Sequence, residues 1–192
     1  MTPVIDFLEF KSQTVTPMLV LVGLHRQVEG NPMDLPAYAQ ILANCRDALE
    51  HARVCRFPVA HVRNIAARKI SEMHRYPPWV PGFEPARSDM VFDLLQPSCY
   101  SNSEFVRTMD HSRGNFAIAG LYAEITCLAT AIDAHHRSHD FTYISDASVC
   151  FNGGTLPNAM FHEAVSQVIS HYGTVTKSAK WSLLPPVGKR MQ

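Results

Sequence analysis

Short apolar runs of strand length alternate along the chain with segments whose apolar positions recur at helical spacing. Met18–Gly23 is continuously apolar, as expected of a strand covered on both faces. Between Pro36 and Val54, the residues Ile41, Leu42, Cys45, Leu49 and Ala52 fall at helical spacing, which predicts an amphipathic helix. Further strands are expected at Phe57–Val62, Asp89–Phe92, Phe116–Gly120, Phe141–Ser145 and Thr174–Thr176, with helices at Glu124–His139 and Pro157–Tyr172. Strands separated by helices imply right-handed crossovers. The pattern therefore predicts an α/β fold: a three-layer sandwich around a doubly wound, mostly parallel sheet of about six strands.

Ligands of such sheets bind beyond the carboxyl ends of the strands, near the point where the strand order reverses. That rule directs attention to His25, to Arg63, and to the segments after Phe92 and Gly120. The stretch Ile65–Arg87 has no clear period and carries four prolines with Trp79 and Phe83 among them. It reads either as a long surface connection or as a wall over the cleft. Residues 1–16 read as an N-terminal arm, and 17–192 as one domain.

Composition narrows the partners. Hydrophobic residues make up 46% of the 192 and charged residues 18%, enough apolar material for a sizeable core. Seventeen basic residues balance seventeen acidic ones, so no field favours nucleic acid or an anionic membrane. The apolar run at Met18–Leu24 is too short to span a bilayer, and the first residues do not read as a signal peptide. Five cysteines without a C-x-x-C pair argue against a disulfide framework or structural zinc, and favour a reducing cytoplasm.

Candidate chemistry is sparse. Cys127 falls in the first turns of a helix that follows a strand, where free N–H groups favour a thiolate and can hold an oxyanion. By position alone, a cysteine between Thr126 and Leu128 is more often a small core residue. His25 follows the first strand and can serve as acid or base, or simply be solvated. His135 and His139 have i, i+4 spacing on one predicted helix, without a third ligand nearby, and read as surface residues. Gly153-Gly154 belongs to no phosphate-binding motif, and no G-x-S-x-G elbow is present. No metal and no cofactor is expected.

The segment Gly120-Leu-Tyr-Ala-Glu-Ile-Thr-Cys127-Leu-Ala-Thr-Ala-Ile-Asp133-Ala resembles the strand, turn and nucleophile helix of the isochorismatase-like cysteine hydrolases. Tyr143-Ile-Ser-Asp146-Ala147-Ser148 and His162–Ser178 are similar to that family's later strand, closing helix and last strand. Pro17–Gln27 and Asp89–Phe105 match more loosely. The resemblance implies hydrolysis of a small amide or related molecule, with Cys127 as nucleophile, and a homo-oligomer, most often a dimer. It also implies that a peptide bond near Leu121–Tyr122 lies where the family often has a cis bond beside the oxyanion site.

The two partners of that cysteine in the family, an aspartate and a lysine, do not recur. Aligning Gln27 puts His25 at the aspartate position, and aligning Pro97–Tyr100 puts Leu94 at the lysine position. Asp93 is adjacent, but a one-residue slip on a strand reverses the face. Two accounts follow. Either His25 is the base for Cys127, steered by Asp93, with Arg63, Trp79, Leu94, Tyr100, Leu121 and Tyr122 around the substrate, or hydrolysis is lost and the domain binds a small molecule or a protein. A redox-sensing thiol at Cys127 ranks last, for want of a resolving cysteine.

Overall fold

The structure, a computed structural model, describes residues 16–25, 37–65, 76–151 and 155–184. The expected N-terminal arm up to residue 15, Gln27 and Gly153-Gly154 lie outside the described residues. Six strands form one sheet: β1 (Met18–Val22), β2 (Val59–Asn64), β3 (Met90–Leu94), β4 (Phe116–Leu121), β5 (Phe141–Val149) and β6 (Thr174–Thr176). Their order is β3-β2-β1-β4-β5-β6, and every pairing is parallel. The strand order reverses between β1 and β4, so the expected ligand crevice lies beyond Val22 and Leu121.

Alternation along the strands sorts side chains into two cores. Met18, Val20 and Val22 join Ala60, Val62, Phe92 and Leu94 on one face, under helices α2 (Ser103–His111), α3 (Leu128–His136) and α4 (Asn158–Ile169). Leu19 and Leu21 join Val59, Ala117 and Ala119 on the other, under α1 (Tyr38–Val54) and the short α5 (Ser178–Trp181). β1 is buried at all five positions because it is central and covered on both sides, which is why it has no polar alternation.

Helix α2 lies where no helix was expected. Asn102 caps it, its side chain accepting from the N–H groups of Glu104 and Phe105, while Phe105 and Met109 bury one face. A cap followed by an apolar i, i+4 pair was the available signal. β2 runs two residues later than expected, and β5 continues four residues beyond Ser145. α3 ends at His136, so His135 and His139 do not share a helical face. Ser138 turns the chain through positive φ, and His139 Nδ1 sits 2.6 Å from the Tyr100 hydroxyl.

The described part of the 65–87 stretch is a wall rather than a loose connection. Trp79 bridges to His25, the Val80 N–H donates to the Leu24 carbonyl (3.1 Å), and Phe83 is fully buried. These contacts fold residues 76–83 over the carboxyl end of β1. No helix among the described residues is long and apolar enough to cross a membrane.

Candidate active site

The chain between β4 and α3 is not a simple turn into a helix. Tyr122 adopts a left-handed conformation (φ 63°, ψ 46°), and Ala123–Cys127 form a π-helical turn before α3. The Tyr122 carbonyl accepts from three N–H groups, those of Ile125 (3.2 Å), Thr126 (2.8 Å) and Cys127 (3.4 Å). Cys127 is therefore one turn inside the helical segment, and its N–H is already used. The peptide bond at Leu121–Tyr122 is trans, as are all described ones.

Cys127 has no exposed surface and belongs to the core under α2, α3 and α4. Burial pushes its thiol well above the usual range, and Cys99, Cys150 and Glu124 push it further. This corrects the expected thiolate: desolvation outweighs whatever the helix end supplies, since each nearby group with a named electrostatic effect is acidic. Two concavities among the described residues, one of 480 Å³ beside Tyr100 and Arg107 and one of 590 Å³ between Pro58 and His111, do not reach it.

His25, Leu94 and Cys127 all lie at the carboxyl edge of the sheet. Their surroundings differ. Leu94 is fully buried in the same core as Cys127. His25 turns edge-on to Trp79, ring centroids 6.3 Å apart, and Trp79 also meets His61 at 5.4 Å. His61 and Arg63 alternate with Ala60 and Val62, which places this group on the α1 face.

Asp93 also faces away from Leu94. Its two oxygens take Arg63 Nε (2.7 Å) and Nη2 (3.1 Å), so its carboxylate orients Arg63 rather than His25. The Arg63 guanidinium lies 3.9 Å from the Tyr76 ring centroid and 5.2 Å from that of Trp79. Arg63, Trp79 and His25 thus form one aromatic and cationic group at the ends of β1–β3, partly open to solvent.

Three other expected lining residues do not line that cleft. Tyr100 packs on Phe105 and Phe116, with Arg137 over its ring and His139 on its hydroxyl, at the amino-terminal edge of the sheet. Leu121 is sealed in the α1-side core. Tyr122 packs against Phe151 with the rings tilted and their centroids 4.8 Å apart, and lies over Gly23, where an added Cβ would meet its ring at 3.0 Å. Its ring occupies the crevice between β1 and β4 instead of bordering it.

Sequence reasoning missed a polar cluster on the other face. Cys150 directly follows β5, His162 lies on the first turns of α4, and Glu124 on the π-helical turn. The Cys150 Sγ is 3.6 Å from His162 Nδ1, and Glu124 is hydrogen-bonded to Cys150 and to the Phe151 backbone. A cysteine at a strand end with a histidine entering the next helix was the readable signal. Asp146, by contrast, is structural: its carboxylate takes the N–H (2.7 Å) and hydroxyl (3.0 Å) of Ser178, tying α5 to β5. Among the described residues, no three histidines, cysteines or carboxylates are grouped to hold a metal.

His61 has a pH signature. It is fully buried, its Nε2 3.2 Å from Asp89, and its Nδ1 has no partner. Burial lowers its pKa, with Asp89 opposing. The unfolded chain therefore binds the proton first as pH falls, and stability present above about pH 6.5 is lost below it. His51, His139 and His162 shift in the same direction, while Glu124, raised by burial, opposes only in the carboxylate range. Urea midpoints are expected to fall between about pH 6.5 and 5, and His61→Phe to reduce that slope. An unchanged slope would assign it to the other histidines.

Comparison with known proteins agrees with this architecture. The family model for the isochorismatase domain matches residues 17–179. No curated protein sequence matches the chain. An isochorismatase from Pseudomonas putida KT2440 superposes with a TM-score of 0.74 at 20% identity, covering 93% of this chain and 99% of its own. A cysteine hydrolase from Pseudomonas syringae pv. phaseolicola 1448A gives 0.73 at 16%, covering 88% and 91%. The MAR1 ribonuclease from Caenorhabditis elegans gives 0.71 at 16%, covering 88% and 80%. At these identities the structures speak for the fold alone, and it is the family match over most of the chain, joined to the all-parallel six-stranded sheet, that shows the chain belongs to the isochorismatase-like hydrolase family.

Proposed function

We propose that this family member binds a small molecule at the carboxyl edge of its sheet and no longer hydrolyses through Cys127. One observation carries this reading: the Cys127 thiol is sealed in an apolar core, with acidic neighbours that hold it protonated. A protonated, desolvated thiol is a poor nucleophile without a base beside it. The lysine that the family resemblance implies is Leu94, buried and apolar, and Asp93 is committed to Arg63. The ligand's side of the edge is Arg63, Trp79 and His25, where the guanidinium and the indole remain partly accessible over the buried imidazole.

A second reading is favoured by the shared placement of His25, Leu94 and Cys127 at that edge. In it, Cys127 attacks a small amide and His25 takes the thiol proton and returns it to the leaving amine. Both readings keep the reducing cytoplasm, supported by five free and buried cysteines, and self-association, which rests on the family resemblance alone.

The two make opposite forecasts for one panel of nicotinamide, a carbamoyl amide and a vinyl ether. Binding is expected without turnover, followed by tryptophan fluorescence and weakened in Trp79→Phe. Iodoacetamide should label Cys127 far more slowly in the folded protein than after unfolding. Turnover of any panel member that disappears in Cys127→Ser would establish the second reading instead.

A further inference from the structure

The polar cluster between β5, α4 and the π-helical turn has an order that packing alone does not explain. His162 Nε2 lies 2.9 Å from the Ser145 carbonyl, which can only accept, so that nitrogen carries the proton. Nδ1 is then a bare lone pair 3.6 Å from the Cys150 Sγ, where it and the Glu124 carboxylate are the two acceptors for the one S–H. A nucleophile donates to a base, and the base is oriented by a third group. The tautomer is fixed by the same carbonyl that aims the ring.

The surroundings contain unsatisfied polarity. One carboxyl oxygen of Glu124, which lies against Cys150, is buried without a partner. Tyr143, fully buried and with its ring 6.3 Å from that of His162, turns its hydroxyl toward Ser148 and Ser166 without completing a hydrogen bond. Each such atom is desolvated without a compensating hydrogen bond and so costs stability. Two of them beside one Cys–His pair mark a place arranged for something other than stability. Cys150 itself has no exposed surface and lies in the same core as Cys127; its neighbours Glu124, Phe151 and His162 are partly exposed, so the sulfur is approached only from their side.

We propose that Cys150, His162 and the Ser145 carbonyl form a thiol–imidazole–carbonyl triad that accepts an acyl group from a small activated ester or thioester. In the first step the Cys150 sulfur bonds to the acyl carbon while its proton passes to His162 Nδ1. The tetrahedral intermediate then expels the alkoxide or thiolate, which takes that proton and leaves a thioester on Cys150. Water, deprotonated by the same Nδ1, cleaves the thioester to a carboxylic acid and restores the thiol.

The resting state favours acyl transfer over oxidation. Burial, and after it the adjacent Glu124 carboxylate, push the Cys150 thiol up to about 12, so it rests as a thiol, whereas peroxide reacts with a standing thiolate. Burial lowers the His162 pKa, with the Ser145 carbonyl and Glu163 opposing and Lys177 lowering it further, so the imidazole is neutral and available at neutral pH. This triad is separate from Cys127 and goes beyond the binding reading above.

The probe is p-nitrophenyl acetate on the whole chain, with the p-nitrophenolate burst followed by absorbance and the adduct located by peptide mass spectrometry. The acetyl group is expected on Cys150, and His162→Gln should slow its appearance by about 10²-fold or more. In the unmodified chain the rate should hold its plateau to below pH 6.5, which needs no variant to fold. Acetylation of no cysteine, spread over several cysteines, or unchanged in a folded His162→Gln would overturn the proposal. Acetylation at Cys127 would overturn it together with the reading that Cys127 is inert.

Discussion

Gly120→Ala is expected to abolish the folded state or to lower stability by more than about 3 kcal/mol. Gly120 lies in β4 at φ 123°, a conformation that side-chain-bearing residues rarely adopt. A Cβ there would stand 2.2 Å from the Val22 carbonyl oxygen and 2.8 Å from the Val22 nitrogen. Those are backbone atoms of the central strand, held between β2 and β4, so neither can yield without breaking a ladder. At the same point β5 shifts register: Ile118 pairs with Tyr143, and Gly120 with Ser148. The glycine admits a close approach of β4 to β1 just before the Tyr122 turn, which sets where the π-helical segment begins. Folded yield and the urea midpoint are the measurements. A wild-type midpoint in Gly120→Ala would mean the two strands separate more easily than their pairing implies.

Leu94→Lys, the substitution that the family pattern invites, is expected to destabilise by roughly 3 kcal/mol or more and to restore no hydrolysis. Leu94 has no exposed surface and belongs to the same apolar core as Phe92, Phe105 and Cys127. An ammonium there has no carboxylate to meet from its own strand, because Asp93 points to the opposite face and holds Arg63. The folded pKa of the new lysine would lie below its unfolded value of about 10.4. The unfolded chain then binds more protons between those values, so the variant's stability should rise as pH is raised from 7 toward 10. Adding His25→Asp is expected to leave it inactive, since position 25 sits against Trp79 on the α1 side. Urea melts at pH 7 and 9.5, with amide turnover alongside, test both halves. Equal stability at the two pH values would mean that the ammonium reaches water.

The alternation of strands and helices was legible because each element reports its own burial. β1 reads as apolar throughout since both its faces are covered, and α1 reads as amphipathic since one of its faces is not. The parallel sheet followed from the need to connect such elements by crossovers. The segment from Gly120 to Ala134 was also legible as a family pattern. The α2 helix was not, because its nine residues offer one cap and few apolar positions, and the neighbouring turn at Cys99–Ser101 broke the period.

The candidate site divides differently. Linear order placed His25, Leu94 and Cys127 at one edge of the sheet, since each follows a parallel strand, and that is a consequence of topology. Whether a thiol at that edge is ionised depends on what surrounds it in three dimensions. The π-helical turn moves Cys127 one turn inward, its N–H is spent on Tyr122, and the core closes over it. Likewise the pairing of Cys150 with His162, and of Asp93 with Arg63, joins groups 12 and 30 residues apart. By itself the sequence determined which elements form and how they connect, because periodicity and turn chemistry are local. Only the tertiary structure decided which titratable groups meet and which are desolvated, because electrostatic energies depend on distance and burial, and neither is written in chain order.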